Sequence, residues 1–254
     1  MGVKPPGTVR VWRVHLDRPE RPGWWSCLSD AERERARALA GPLDRSRYVV
    51  AHAALRSVLG RACGMPAGQL RLTTDPSGRP CLDLGEGRPA PDFNLSHSDA
   101  WALVAVAPEG TRVGVDVERV RADLDHLALA RHLYQPEEVA RLLAAGPGAD
   151  LAEYFRLWTA KEAFVKATGA GLGGLRDVLV RVREDAGVRE DAGAREDADA
   201  REGVRAGEEV RARGGSATSV RSRSLRGPVR WLDVAPGYAA AVVTIASTPA
   251  PRTG

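Results

Sequence analysis

The segment Val113–Glu118 constrains this chain most, because it places two acidic residues inside an otherwise apolar, β-branched run. Side chains two residues apart in a strand lie on the same face, so Asp116 and Glu118 point the same way. Two buried carboxylates without a partner repel each other and resist ionisation. Either a divalent cation or a nearby lysine or arginine relieves this repulsion. The segment therefore predicts a strand that needs a positive partner from elsewhere in the chain.

Length and composition restrict the class of protein. The 254 residues are 43% hydrophobic, which is enough for one large domain or two lobes, each with its own core. No apolar run approaches the roughly 20 residues of a membrane span, and the first residues lack the regions of a secretory signal. We therefore expect a cytoplasmic protein without a membrane partner. The 3 cysteines are odd in number and far apart, which argues against a disulfide framework or a zinc site.

The hydrophobic patterns predict an α+β fold. Residues 1–112 show two helices followed by a meander of short strands. Beyond them, a mostly helical region runs from Asp123 to Gly169, and its longest helix begins at Asp150. Further strands are predicted near the end of the chain, separated by the Pro236-Gly237 turn signal.

Residues 183–226 are predicted to be a low-complexity, mobile insertion. A six-residue motif that begins at Arg183 recurs with changes at Arg189, Arg195 and Arg201. A period of six does not match the 3.6-residue helical repeat, and few apolar residues are present to anchor a core. The arginines of the segment are balanced by its acidic residues, so the net charge of +4 belongs to the rest of the chain. We therefore expect no nucleic-acid partner.

The predicted long helix carries the charges that complement the acidic strand. Glu162 and Lys166 are four residues apart and share a helix face, with Lys161 beside them. By themselves, such residues often form a surface ion pair of about 0.3–0.5 kcal/mol. Together with Asp116 and Glu118, however, they favour a site for Mg²⁺ and a pyrophosphate. Mg²⁺ binds few protein carboxylates and completes its shell with phosphate oxygens and water.

Four motifs, in this order and spacing, resemble those of the 4′-phosphopantetheinyl transferases, and in particular the larger, Sfp-type branch. They are Gly78–Pro80, Phe93–Ser98, Val113–Glu118 and Trp158–Lys166. The resemblance does not extend to the six-residue repeat that begins at Arg183. It implies two similar α+β lobes related by a pseudo-twofold axis, residues 1–112 and 113–254, with the active site in the cleft between them. A monomer is expected, because one chain would supply both lobes.

The resemblance also implies a reaction. The 4′-phosphopantetheine arm of coenzyme A would pass to a serine of apo acyl or peptidyl carrier proteins, with release of adenosine 3′,5′-bisphosphate. The carrier proteins would serve polyketide or nonribosomal peptide synthesis. Two alternatives stay open: a Mg²⁺-dependent nucleotide phosphohydrolase, and a non-catalytic protein that binds carrier domains or nucleic acid.

Matched residue by residue, the resemblance implies that Asp116, Glu118 and Glu162 bind Mg²⁺ and that Lys161 and Lys166 hold the pyrophosphate. The implied catalytic group is Glu162, Lys161 and Asp116. Glu162 is the candidate general base, directly or through a water on the metal, and the alternative is His97. The implied contacts with coenzyme A are Arg35, Arg47, Arg79, Ser96, His97, Lys161 and Lys166.

Overall fold

The structure is a computed structural model that describes residues 8–182, 207–210, 212–213, 218–222 and 224–247. Within these residues the chain has an α+β fold, with two larger antiparallel sheets, a short hairpin and helices on the outer faces. No helix in the described ranges combines the length and the apolar character that crossing a membrane would require.

The first sheet is built mainly from the N-terminal part of the chain. Its strands, in spatial order, are β4 (Asp92–Ser98), β5 (Trp101–Ala107), β1 (Arg10–His15) and β8 (Glu208–Val210). Three helices accompany it: α1 (Pro22–Cys27), α2 (Asp30–Ala38) and α3 (Pro42–Cys63). Helix α2 begins with a capping box, in which the Ser29 hydroxyl accepts from the Glu32 N–H and the Glu32 carboxylate accepts from the Ser29 N–H. A separate hairpin joins β2 (Arg71–Thr74) to β3 (Pro80–Asp83).

The second sheet belongs to the C-terminal part. Its main path runs β6 (Thr111–Arg119), β12 (Tyr238–Ala246), β11 (Arg226–Leu232), β10 (Thr218–Arg221) and β7 (Leu179–Val182), and β9 (Ala212–Arg213) pairs with β11. Helix α6 (Ala149–Thr168) packs against this sheet, and α4 (His126–Leu133) and α5 (Pro136–Ala145) pack against α6. Helix α6 ends at Gly169, whose φ of 76° is the left-handed conformation that suits glycine.

Strand β6 lies between two cores because its side chains alternate between its faces. Val113, Val115 and Val117 pack against the first sheet in an apolar core between the two sheets. Gly114 lies against α6 on the other side of the strand, where an added Cβ would come within 1.9 Å of the Ala163 carbonyl oxygen. The helix backbone therefore approaches this strand as closely as a glycine permits.

Part of the predicted mobile insertion is regular structure, so that prediction is wrong for β8, β9 and β10. Residues 183–206, which contain the repeat, lie outside the described residues. Strand β8 pairs with β1 of the first sheet, where Glu208 forms an ion pair with Arg13 at 2.6 Å. The first sheet thus includes a strand from the predicted C-terminal lobe. Local composition missed this pairing because its partner strand is about 200 residues away in the chain.

Candidate functional site

Strands β4 and β6 run side by side and are joined through side chains. Alternate side chains of β4 accept hydrogen bonds from alternate N–H groups of β6, with a constant offset of 21 residues, so the two strands run parallel. The pairs are Asp92 with Val113 at 2.7 Å, Asn94 with Val115 at 3.0 Å, Ser96 with Val117 at 3.4 Å and Ser98 with Arg119 at 3.1 Å. We call these four β4 residues the side-chain ladder.

Asp116 is buried beside the ladder and is only 2% exposed. Its Oδ1 accepts a hydrogen bond from Ser96 Oγ at 2.8 Å and another from Lys166 Nζ at 2.6 Å. Lys166 Nζ also donates to Ser96 Oγ at 3.0 Å, so the three groups are mutually bonded. Burial raises the pKa of Asp116 to about 7, although the positive charge of Lys166 acts in the opposite direction. Lys166 is therefore the positive partner that the sequence required.

Glu118 and Glu162 share this electrostatic environment. Glu118 accepts a hydrogen bond from Ser98 Oγ at 2.9 Å. Glu162 is buried on α6, and burial raises the pKa of its carboxyl, opposed by Lys166 and reinforced by the negative charge of Glu118. We call Asp116, Glu118, Glu162 and Lys166 the carboxylate site.

Two oxygens of this site suit a cation. Asp116 Oδ2 and Glu162 Oε1 are buried and have no hydrogen-bond partner among the described residues. Because a buried oxygen without a partner is costly, and because divalent Mg²⁺ prefers oxygen ligands, this donor set fits such an ion. In the ranges that the structure describes, no three His, Cys, Asp or Glu residues are grouped closely enough to hold a metal. The predicted ligands thus offer the oxygen atoms that Mg²⁺ prefers, but they are not close enough together to form a complete metal site.

The structure corrects the predicted role of Lys161. Its side chain is fully buried away from the carboxylate site, where Nζ forms an ion pair with Glu138 at 2.7 Å and donates to the Val178 carbonyl. Neighbouring residues of a helix point about 100° apart, and here Lys161 points toward Glu138 of α5 while Glu162 lies near Lys166 and Glu118. Desolvation lowers the pKa of Lys161, and Glu138 opposes that change. Lys161 therefore joins α6 to α5 instead of holding a phosphate.

Arg79 also has a structural position. It is 7% exposed, its Nε donates to the Lys166 carbonyl at 2.8 Å, and its Nη2 donates to Asp92 at 2.8 Å and to the Val113 carbonyl at 2.5 Å. These bonds join the hairpin, β4, β6 and the end of α6. The Nε and Nη2 donors of the guanidinium are thus engaged within the protein, and the contact of Arg79 with coenzyme A stays a prediction.

Ser96 and His97 lie on opposite faces of β4, as adjacent strand residues must. Ser96 is buried in the contact between Asp116 and Lys166. His97 is exposed, and its pKa is lowered by desolvation and by the positive charge of Lys166. Of these two residues, Ser96 is the one that hydrogen-bonds the carboxylate site in the described part of the chain.

The two predicted arginines of the N-terminal helices are held differently. Arg35 is exposed in the last turn of α2. Arg47, on α3, forms ion pairs with Asp17 at 2.7 Å and with Asp99 at 2.8 Å, and the hydrogen bond to Asp17 is the main cause of its raised pKa. Their contacts with coenzyme A stay predictions.

Sequence reasoning missed Asp92, Asn94 and Ser98, which complete the ladder, and Glu138, the partner of Lys161. The signal for the ladder was present in β4, where every second residue from Asp92 to Ser98 is polar. A strand with one polar and one apolar face is usually half-exposed. Here the polar face meets another strand, which only the tertiary structure shows.

Comparison with known proteins identifies the family of this chain. Residues 112–205 match the model of the 4′-phosphopantetheinyl transferase superfamily, and residues 18–109 match that of the N-terminal part of a 4′-phosphopantetheinyl transferase. The chain is 35% identical to the 4′-phosphopantetheinyl transferase HetI of Nostoc sp. strain PCC 7120 over 67% of its own length and 72% of that protein. It is 28% identical to the 4′-phosphopantetheinyl transferase Sfp of Bacillus subtilis over 71% and 80% of the two chains. The chain therefore belongs to the 4′-phosphopantetheinyl transferase family.

Proposed function

We propose that this transferase moves the 4′-phosphopantetheine arm of coenzyme A to a serine of acyl or peptidyl carrier proteins, with Mg²⁺ as cofactor. The observation that carries the proposal is the carboxylate site. It gathers three acidic side chains and a lysine at the junction of the two sheets, and two of the acids have raised pKa values caused chiefly by burial. Such groups are expected where a site stabilises a charged ligand.

Asp116, Glu118 and Glu162 would hold the metal. The unpartnered oxygens of Asp116 and Glu162 support this assignment. When bound, Mg²⁺ would neutralise charge on the pyrophosphate of coenzyme A. Because Lys166 Nζ now contacts Asp116, we expect it to move toward a phosphate oxygen once a cation neutralises that carboxylate.

The reaction is a phosphoryl transfer. The serine oxygen of the carrier protein forms a bond to the β-phosphorus of coenzyme A, and the bond from that phosphorus to the bridging oxygen breaks. The leaving group is adenosine 3′,5′-bisphosphate, and the serine proton passes to a base. Glu162 is the best candidate for that base, because burial raises the proton affinity of its carboxyl. Lys166 would stabilise the charge that develops on the leaving group.

Other contacts with coenzyme A are assigned to the N-terminal part. We propose that Ser96 and His97 lie near its phosphates, with Arg35 and Arg47 farther along α2 and α3. Arg47 would exchange Asp17 or Asp99 for a phosphate, which suits a guanidinium that pairs with planar oxyanions.

A role in polyketide or nonribosomal peptide synthesis, in the cytoplasm, completes the proposal. It rests on the resemblance to the Sfp-type branch. We also propose a monomer, because the carboxylate site is formed by strands and a helix of one chain.

The test is incubation of the protein with coenzyme A, Mg²⁺ and a panel of apo carrier proteins, followed by intact-mass measurement. We expect a mass gain of one phosphopantetheine arm, and no gain on a carrier protein whose acceptor serine is replaced by alanine. An unchanged carrier mass together with hydrolysis of a nucleotide would instead support the phosphohydrolase alternative.

A further inference from the structure

We propose that Ser98 is a positioning residue for the transfer reaction, and that the side-chain ladder sets the direction of the metal-binding carboxylates. The inference rests on the proposed function, since it concerns how Asp116 and Glu118 are aimed. Ser98 would act through Glu118, without contact with coenzyme A or the metal.

The first observation is a pattern that repeats along β4. Ser96 Oγ accepts from the Val117 N–H and donates to the Asp116 carboxylate. Two residues later, Ser98 Oγ accepts from the Arg119 N–H at 3.1 Å and donates to the Glu118 carboxylate at 2.9 Å. Each hydroxyl therefore bonds both the backbone of β6 and the acidic side chain that precedes that backbone group.

The second observation concerns the edge of β6. Its other edge pairs with β12 along its whole length, from Thr111 to Arg119. The edge toward β4 has its alternate N–H groups satisfied by ladder side chains instead of by backbone carbonyls. In an ordinary sheet, backbone carbonyls of the neighbouring strand would accept from these N–H groups. Because side chains of β4 accept here instead, one hydroxyl of β4 can bond both a backbone N–H of β6 and a carboxylate of β6.

The third observation is what this bonding does to Glu118. Glu118 is partly exposed at the end of β6, where a glutamate side chain would otherwise adopt many rotamers. A hydrogen bond from a hydroxyl that is itself held by the Arg119 backbone restricts those rotamers. Partners of metal ligands that act in this way typically contribute 10–100-fold to metal affinity or activity.

The hydrogen bonds of Arg79 hold β4 to β6 at the Asp92 end of the ladder, which supports the proposed positioning role. Its guanidinium bonds Asp92, which accepts from the Val113 N–H, and also bonds the Val113 carbonyl. Arg79 thus holds the Asp92 end of the contact between β4 and β6, and the bond between Ser98 and the Arg119 N–H lies at the opposite end.

The experiment compares Ser98→Ala with Ser98→Thr, which keeps the hydroxyl. In the metal-free protein, amide hydrogen exchange at Arg119 should be several-fold faster in Ser98→Ala and near the wild-type rate in Ser98→Thr. Affinity for Mn²⁺, measured by electron paramagnetic resonance as a substitute for Mg²⁺, should fall about tenfold in Ser98→Ala and recover in Ser98→Thr. The kcat for transfer should fall in parallel, with a smaller change in the KM for the carrier protein.

Ser29→Ala is the matched control. It also removes a serine hydroxyl that accepts from a backbone N–H, at the start of α2. We expect it to lower thermal stability and to leave Mn²⁺ affinity and kcat at wild-type values, which separates a general loss of stability from a loss of positioning.

Two contrary outcomes are distinguishable. If the wild type binds Mn²⁺ and transfers the arm, while Ser98→Ala does both equally well, the positioning role is refuted and the proposed function stands. If the wild type neither binds Mn²⁺ nor transfers the arm, the proposed function is refuted, and the role of Ser98 in aiming a metal ligand is refuted with it.

Discussion

At the scale of residues, Lys161 and Lys166 show that two lysines of one helix can have unrelated roles. Lys161 Nζ is buried against Glu138, whereas the Lys166 side chain is 29% exposed and pairs with Asp116. The first pair joins elements of the core. The second lies in the proposed active site.

Replacement of each lysine by methionine should separate these roles. Lys161→Met leaves the buried Glu138 carboxylate without its cation, so the free energy of unfolding should fall by about 3 kcal/mol. Lys166→Met should reduce transfer about 100-fold and change stability less, because Asp116, whose pKa is raised to about 7, can take up a proton when it loses the lysine. Chemical denaturation and the mass-based transfer assay measure the two effects. Equal losses of stability in both variants would contradict the assignment.

A second residue-scale prediction concerns pH. His52 stacks on Tyr48 with ring centroids 3.8 Å apart, and its Nδ1–H donates to the Tyr48 carbonyl. Desolvation lowers the pKa of His52, with smaller effects from the charges of Glu32, His97 and Arg56. Because the unfolded chain then binds a proton more readily than the folded one, stability should be complete above about pH 6.5 and fall as the pH drops below it.

His52→Gln should therefore flatten the decline of unfolding free energy as the pH falls below about 6.5. His132→Gln, which changes an exposed residue near the end of α4, is the control. Urea denaturation at a series of pH values provides the measurement. A decline as steep in His52→Gln as in the wild type would assign the pH dependence to other groups.

At the scale of elements, the contact between β6 and α6 aligns the carboxylate site. Gly114 permits the helix backbone to lie directly on the strand, so Asp116 and Lys166 meet at 2.6 Å. Both parts of the contact are rigid main chain. A small displacement of α6 would therefore move the carboxylates on β6 away from the groups on the helix.

Gly114→Ala should displace α6, since its Cβ would lie 1.9 Å from the Ala163 carbonyl oxygen. We expect a stability loss of about 1–3 kcal/mol and a larger relative loss of transfer activity. Gly173→Ala is the matched control, because nothing lies within 4 Å of its added Cβ and its φ is not positive. Full activity in Gly114→Ala would show that the helix can move without consequence.

At the scale of the whole molecule, the chain crosses between its two sheets more than once. After β7 in the second sheet, β8 pairs with β1 in the first sheet, and β10 then returns to pair with β7 and β11. Ion pairs of Arg10 with Glu209 and of Arg13 with Glu208 accompany the crossing. This segment therefore joins the two halves of the fold.

Gly207→Ala should detach β8, because an added Cβ would lie 1.9 Å from the Arg13 carbonyl oxygen. Overpacking of about 1–3 kcal/mol corresponds to a Tm lower by about 2–4 °C per kcal/mol. Gly23→Ala, with no atom near the added Cβ, is the control.

Deletion of residues 184–225, which removes the three strands β8, β9 and β10, should lower the Tm further than Gly207→Ala does. An unchanged Tm after that deletion would show that these strands contribute no stability.

Much of the fold and site could be predicted where the signal is local. Alternation predicted that Asp116 and Glu118 share a strand face, and helical spacing predicted that Glu162 and Lys166 share a helix face. The α+β fold followed from such patterns, and the family followed from the resemblance of four sequence motifs. The same spacing placed Lys161 in the site, because position along a helix does not say which face meets which neighbour.

The sequence by itself determined that Asp116 needs a positive charge nearby, and it indicated Lys166 as one residue that could supply that charge. The tertiary structure alone decided that Lys161 pairs with Glu138, that Arg79 clamps β4 to β6, and that β8 joins the first sheet. The physical reason is common to all three. A buried charge or a sheet edge is satisfied by whichever group the packed chain brings to it, and these partners are distant in sequence, so no local pattern encodes them.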